Sequence, residues 1–317
     1  MPEENEERLT LLAEQFQIGK DINPEEQIKQ LSQLDSYSEE TRIEILNYFI
    51  SLEKNPQVLL HLIKTVGKYR DKSSTSILID ILLLKNNKEA TDKPEEYLKV
   101  RCMAATVLGN IKDQSSVVPL LYVLNAKDEN YKLRLSSAEA LGRIGDRFAV
   151  APLIEVVTNE DEKSVYIRES AAKALGMLGD ISALDPLINI LETKKGIIDK
   201  FTFLKERIIE AIGKLGFKDA KAIKALSNAL MDESATIRLE AIETLSEIED
   251  ERVLSLIEKM IYDQEEDVAR GAVAALYNVA GDEYLIDLLR RSDLPGWCKD
   301  EAETILAEEE EDEYEES

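Results

Sequence analysis

The sequence predicts an all-α solenoid, a row of about seven to eight helix pairs stacked side by side. Three observations predict it. A segment of about fourteen residues recurs at spacings of 33, 34, 37, 33 and 31 residues. A shorter apolar segment precedes most of the copies. Both carry apolar residues at three- and four-residue intervals, the period of an amphipathic helix. One such hairpin cannot bury its apolar stripe alone, whereas stacked hairpins share a continuous core.

The elements follow in chain order. Residues 1–36 read as N-terminal capping helices, and 37–281 as the repeat solenoid. Its divergent first pair covers 39–53 and 56–70, with VLLHLIKTVGKYRD from Val58 as the second helix. An insertion at 85–96 accounts for the long step from Leu59 to Arg101. The regular copies are VRCMAATVLGNIKD from Val100, LRLSSAEALGRIGD from Leu133 and IRESAAKALGMLGD from Ile167. LKERIIEAIGKLGF from Leu204, IRLEAIETLSEIED from Ile237 and VARGAVAALYNVAG from Val268 follow. Their first helices read SVVPLLYVL from Ser116, AVAPLIEVV from Ala149, ALDPLINIL from Ala183, AIKALSNAL from Ala222 and RVLSLIEKM from Arg252. Pro119, Pro152 and Pro186 sit near helix starts, where a missing N–H costs little. Gly145, Gly179 and Gly216 follow second helices, where a left-handed cap favours glycine. Asp146 and Asp180 suit the next turn as caps. A smaller insertion lies around Glu192 to Lys200. C-terminal capping helices are expected over 282–307, and 308–317, EEEEDEYEES, reads as a disordered acidic tail.

Composition removes several functions. The chain has 317 residues, with 39 Lys+Arg against 64 Asp+Glu, a net charge of −25. That charge argues against nucleic acid, because neutralising phosphates needs Lys and Arg, and equally against an anionic membrane. One histidine and two cysteines leave no His/Cys metal cluster of the usual kind. Glycine-rich phosphate loops are absent; Gly142 with Gly145, and Gly176 with Gly179, recur at helix ends like structural caps. The N-terminus lacks a basic and an apolar signal region, and the apolar run Ile77–Leu84 is too short to span a bilayer. A soluble, cytoplasmic protein is the expectation.

These repeats resemble the HEAT-repeat family, specifically its short phycobilisome-lyase-type repeat, with a consensus close to AVPxLIxLLxDxxxxVRxxAAxALGxIGD. The resemblance covers about Ser74 to Gly281 and is strongest from Ser116 to Gly179. It implies a right-handed superhelix whose second helices line a concave groove. Counting the ladder column (Arg101 and its equivalents) as zero, positions 2, 5 and 9 lie opposite the apolar face. The groove row is then His61, Lys64 and Lys68; Met103, Thr106 and Asn110; Ser136, Glu139 and Arg143; Ser170, Lys173 and Met177; Arg207, Glu210 and Lys214. Glu240, Glu243 and Glu247 continue it, and then Gly271, Ala274 and Asn278. On so acidic a chain, Lys64, Lys68, Arg143, Lys173, Arg207 and Lys214 predict a less negative groove. A non-enzymatic scaffold or adaptor holding a partner protein there is the leading expectation, with acidic groups of the partner toward the first half. Arg101, Arg134, Arg168, Lys205 and Arg238 form the structural ladder. The arginines follow the acidic turns Glu95-Glu96, Asp128-Glu129, Asp161-Glu162 and Asp232-Glu233, so inter-repeat or turn-bridging ion pairs are expected, worth about 0–1 kcal/mol each where exposed.

Two alternatives remain open. The resemblance also implies a bilin lyase-like or phycobiliprotein-handling factor, with Arg143, Lys173 and Arg207 as candidates for tetrapyrrole propionates. A metal-cluster or cofactor delivery helper would use Cys102. Apart from these alternatives no cofactor, metal or catalytic residue is expected. His61 stands alone, and the iron-dependent hydroxylases built on HEAT repeats need several His–Glu pairs that this chain lacks. Cys102 and Cys298, far apart along the solenoid, are expected to be free thiols. Tyr277 and Trp297 read as packing residues.

Overall fold

The computed structural model describes residues 2–84, 95–159, 161–193, 202–216 and 219–315. Among the described residues the regular structure is helical throughout, without a strand. The chain forms two compact units, Met1–Pro152 and Leu153–Ser317.

The first unit opens with α1 (Pro2–Gln15) and α2 (Pro24–Leu31). They pack on α3 (Glu39–Leu52) and α4 (Pro56–Val66) respectively. Two buried polar side chains fasten this end. Gln27 Nε2 donates to the carbonyls of Phe16 and Gln17 and to Glu53 Oε2 at 3.2 Å. Glu53 also accepts amides from Gly19, Lys54 and Asn55. Backbone amides and one side-chain amide thus satisfy a buried carboxylate. Then come α5 (Thr75–Leu82), α6 (Leu98–Ile111), α7 (Val117–Asn125) and α8 (Tyr131–Ile144). Second helices lie in series, α4 on α6 and α6 on α8, with α5 against α6 and α7 against α8. Leu59, Leu62, Leu108, Leu120, Leu124 and Leu141 fill the shared core, each fully buried.

The division between the units falls inside α9 (Val150–Thr158). The second unit continues with α10 (Val165–Leu178), α11 (Leu184–Glu192), α12 (Thr202–Leu215), α13 (Ala220–Ala229) and α14 (Ala235–Ser246). It ends with α15 (Glu251–Glu258), α16 (Glu266–Leu289) and α17 (Gly296–Glu315). Here too second helices stack in series: α10 on α12, α12 on α14, α14 on α16, then α16 on α17. Each unit is thus all-α solenoid packing of helix pairs. α16 is broken at Gly281, whose φ is 76°.

Turn chemistry repeats with the helices. Asp71, Asp113, Asp146, Asp180, Asp219 and Asp250 each accept the amide two residues on, at 2.7–3.0 Å. This is the Asp cap expected from the sequence at Asp146 and Asp180.

Glycines depart from expectation. Gly145 and Gly179 are left-handed caps, with φ of 77° and 67°. Gly216 is not left-handed; a Cβ there would meet the Cβ of Ala222 at 2.4 Å, so close packing selects it. Gly142 and Gly176 are not caps either. They lie buried inside α8 and α10, in the column of Gly109 and Gly213, where helices approach closely. In α6 the left-handed cap is a lysine, Lys112, at φ 59°. Lys112→Gly should therefore stabilise the first unit by about 0.5–1 kcal/mol, read from the unfolding midpoint in urea. An unchanged or lower midpoint would refute this.

The insertion at 85–96 lies outside the described residues except for its end, and so does most of the one around 192–200. Where a disordered tail was expected from 308, α17 runs on to Glu315, in keeping with the helix propensity of glutamate. Residues 316–317 lie outside the described residues.

Candidate functional site

In the first unit, His61 is half-buried on α4, with Lys64 and Lys68 exposed. Burial first, then the charges of Lys68 and Lys64, hold the His61 pKa below its usual value. Met103, Thr106 and Asn110 on α6 are half-buried, as are Ser136, Glu139 and Arg143 on α8. In the second unit, Lys173 and Met177 on α10 are exposed. Arg207 and Glu210 on α12 and Glu240 on α14 are half-buried, while Lys214, Glu243 and Glu247 are exposed. Ser170 departs from the row, being buried at 8 % exposure.

The expected surplus of positive charge is smaller than the residue list implies. Arg143 Nη2 pairs with Glu139 at 3.4 Å. Glu210 holds two cations at once, Arg207 Nη1 and, at 2.5 Å, Lys214 Nζ. Three of the six expected cations are therefore committed to acids on their own helices. Spacings of three or four residues make such pairs geometrically natural. Burial opposes the charged form of Glu210, but the Lys214 hydrogen bond and the charges of Arg207, Lys214 and Lys173 hold its pKa below the usual value.

Of the two kinds of pair expected, the ladder makes inter-repeat ones, and it lies deeper than a surface ladder would. Arg101 reaches forward to Glu129 with both terminal nitrogens, at 3.0 and 2.5 Å, rather than back to Glu95-Glu96. Lys205 reaches forward to Asp232 at 3.2 Å, and Arg238 to Asp263 at 2.8 and 2.7 Å. Preceding turns contribute carbonyls. Arg238 Nη1 donates to the carbonyls of Asp232 and Glu233, and Arg168 to those of Val157, Asn159 and Glu162. Arg101 and Arg134 donate from Nε to the carbonyls of Leu82 and Leu124, at the C-terminal ends of first helices. These four arginines are 3–6 % exposed, so they are not surface pairs. Arg101, Arg134 and Arg168 thus donate to carbonyls at the C-terminal ends of first helices, where intrahelical donors run out, while Arg238 donates to a turn.

A family model described as HEAT repeats matches residues 89–166, 119–200 and 199–277, together more than half of the chain. The chain belongs to the HEAT-repeat family. Two solved structures are similar to it. One is the complex of CpcE and CpcF of phycocyanin lyase from Nostoc sp. PCC7120, at 23 % identity and a TM-score of 0.45, covering 69 % of this chain and 81 % of that one. The other is human deoxyhypusine hydroxylase in complex with glycerol, at 16 % identity and a TM-score of 0.35, covering 84 % and 96 %. Likenesses this distant carry no argument about function. No curated protein matches the chain.

The HEAT repeats of the second unit bear exposed apolar side chains that the sequence reading missed. Tyr166 and Phe203 are 64 % and 72 % exposed. Both lie two residues before the ladder, near the angle of positions 2, 5 and 9 at 100° per residue, so the wheel would have found them had it been extended backwards. Glu206 was missed too. It lies one residue after the ladder, is 6 % exposed, and its Oε1 is buried without a hydrogen-bond partner.

Cysteine chemistry follows from burial. Both thiols are free. Cys102 is half-buried; burial raises its pKa, against a lowering from the Ser136 hydrogen bond and the Arg101 charge. Cys298 is buried, donates to the Ile261 carbonyl at 3.2 Å, and has its pKa pushed up to about 11 by burial. Thiols in this state are poor nucleophiles and poor ligands. Among the described residues no group of three His, Cys, Asp or Glu could hold a metal, and no helix is long and apolar enough to cross a membrane. An open depression of about 750 Å³ lies in the first unit, lined by acids such as Glu40, Glu44 and Asp71, with Arg8 engaged by Glu44. That lining does not suit propionates.

Proposed function

We propose that this chain is a HEAT-repeat scaffold or adaptor that binds a partner protein along the exposed faces of its second helices. One observation carries the reading: the row on α10 and α12. Tyr166, Met177 and Phe203 are 64 %, 44 % and 72 % exposed there, alongside Lys173, which forms no ion pair among the described residues. Aromatic and methionine side chains left in water gain free energy when a partner covers them. Aromatics also dominate the binding energy of protein interfaces. Acidic groups of the partner suit the first unit, where Lys64 and Lys68 are exposed without ion pairs among the described residues.

Tyr166→Ala combined with Phe203→Ala and Lys173→Glu should reduce capture of the partner from native-host lysate by about tenfold or more. Lys64→Glu with Lys68→Glu addresses the first unit in the same way. The helical circular dichroism of both variants should match that of the parent, since none of these residues is buried. Capture of every partner at parental levels by both variants would reject the proposal.

A further inference from the structure

Three carboxylates on three consecutive second helices of the second unit form no ion pair of their own among the described residues. Glu169 on α10 and Glu206 on α12 share a column, one residue after the ladder, and Glu240 on α14 stands one place further along. α12 packs against both α10 and α14. Glu206 is the deepest of the three, 6 % exposed, with the unpartnered Oε1. Glu169 and Glu240 are half-buried beside it. Burial raises the Glu169 pKa; the Arg207 charge opposes this and the Glu206 charge adds to it. Burial also raises Glu240, to about 7, with Arg207 opposing and Glu243, Glu206 and Glu210 adding. Arg207 is the cation acting on both, and Glu210 already holds it. A buried carboxylate oxygen without a donor costs free energy that a suitable donor would restore.

We propose that this cluster is a cation-binding site that seats one arginine or lysine side chain of the partner protein, with Glu206 at its base and Glu169 and Glu240 at its sides. The assignment rests on partner binding along the second helices. The carboxylates are not grouped tightly enough for a metal ion, whereas the five donors of a guanidinium span acceptors set further apart. A seated cation favours the charged carboxylates, so binding draws a proton from Glu240 at neutral pH. Affinity then rises with pH through about 7, the value at which Glu240 titrates in the free protein.

The probe is N-acetylarginine amide, titrated by calorimetry into the full-length protein in buffers of different ionisation enthalpy. Saturable binding with net proton release at pH 7 is expected, weaker by about tenfold at pH 6 than at pH 8, as one proton lost from a group of pKa about 7 requires. Glu206→Gln should weaken binding about tenfold, while Glu251→Gln, an equal charge change at an exposed site, should leave it unchanged. Should Glu206→Gln fold poorly, Glu240→Gln serves, and there binding should persist while proton release disappears. No saturable binding by the parent, or equal binding by Glu206→Gln and Glu251→Gln, would overturn the assignment. This titration needs no partner, so its failure is distinguishable from that of the capture experiment with Tyr166, Phe203 and Lys173.

Discussion

Arg238→Ala is expected to destabilise the second unit by about 3–5 kcal/mol, the range for breaking a buried ion pair by removing one member. Arg238 and Asp263 have side chains only 7 % and 8 % exposed, joined by two hydrogen bonds. Truncation leaves Asp263 buried and uncompensated, and also removes the donor from the Asp232 and Glu233 carbonyls. Those carbonyls belong to the turn whose Asp232 carboxylate holds Lys205, so the loss reaches into the neighbouring repeat. Hydrogen exchange of α14 and α16, with chemical denaturation, is the measurement. A loss below about 1 kcal/mol would mean the pair behaves like a surface pair.

The same pair sets a pH signature. Burial opposes ionisation of Asp263, but the Arg238 hydrogen bond, the Glu265 amide and the Arg238 charge bring its pKa below 3.8. A depressed carboxylate contributes stability above its unfolded pKa and loses it as pH falls through the folded one. The gap between the parent and Arg238→Ala should therefore be full at pH 6 and close in acid, below about pH 4. A gap independent of pH would point to lost packing of the arginine stem instead.

Gly109→Val is expected to cost the first unit about 3 kcal/mol, at the upper end for overpacking. A Cβ at Gly109 would sit 2.8 Å from the Cα of Ala140 and 3.0 Å from its Cβ. The obstacle is backbone on α8, which cannot rotate aside as a side-chain tip could. Gly109→Ala should already destabilise, and pairing it with Ala140→Gly should restore little, because the Cα remains. Gly145 gives the contrast: open space surrounds it and its φ is +77°. Gly145→Ala should cost only about 1 kcal/mol, from left-handed strain alone. Thermal unfolding of the four variants tests the order. Equal losses at Gly109 and Gly145 would show that close approach is not what selects Gly109.

Much of the candidate site was legible as positions and little as energetics. The helical wheel placed Lys173, Arg207 and Glu240 on a face away from the core, since that depends on spacing along one helix. It could not show that Glu210 would take both Arg207 and Lys214, because side-chain conformers choose among several partners in reach. Extending the wheel to Tyr166 and Phe203 needed only two more positions. Ser170 and Glu206 are different: their burial comes from neighbouring repeats, which no single-helix pattern contains.

The paired amphipathic helices and the Asp caps were determined by the sequence alone, since each depends on residues a few places apart, and the repeat period by their recurrence along the chain. Tertiary structure decided the forward reach of Arg101, Lys205 and Arg238, the close approach at Gly109, and the orphaned oxygen of Glu206. All of these depend on which residue of the adjacent repeat lies opposite. The stacking register sets that, and a chain that repeats itself leaves the register unwritten in any single copy.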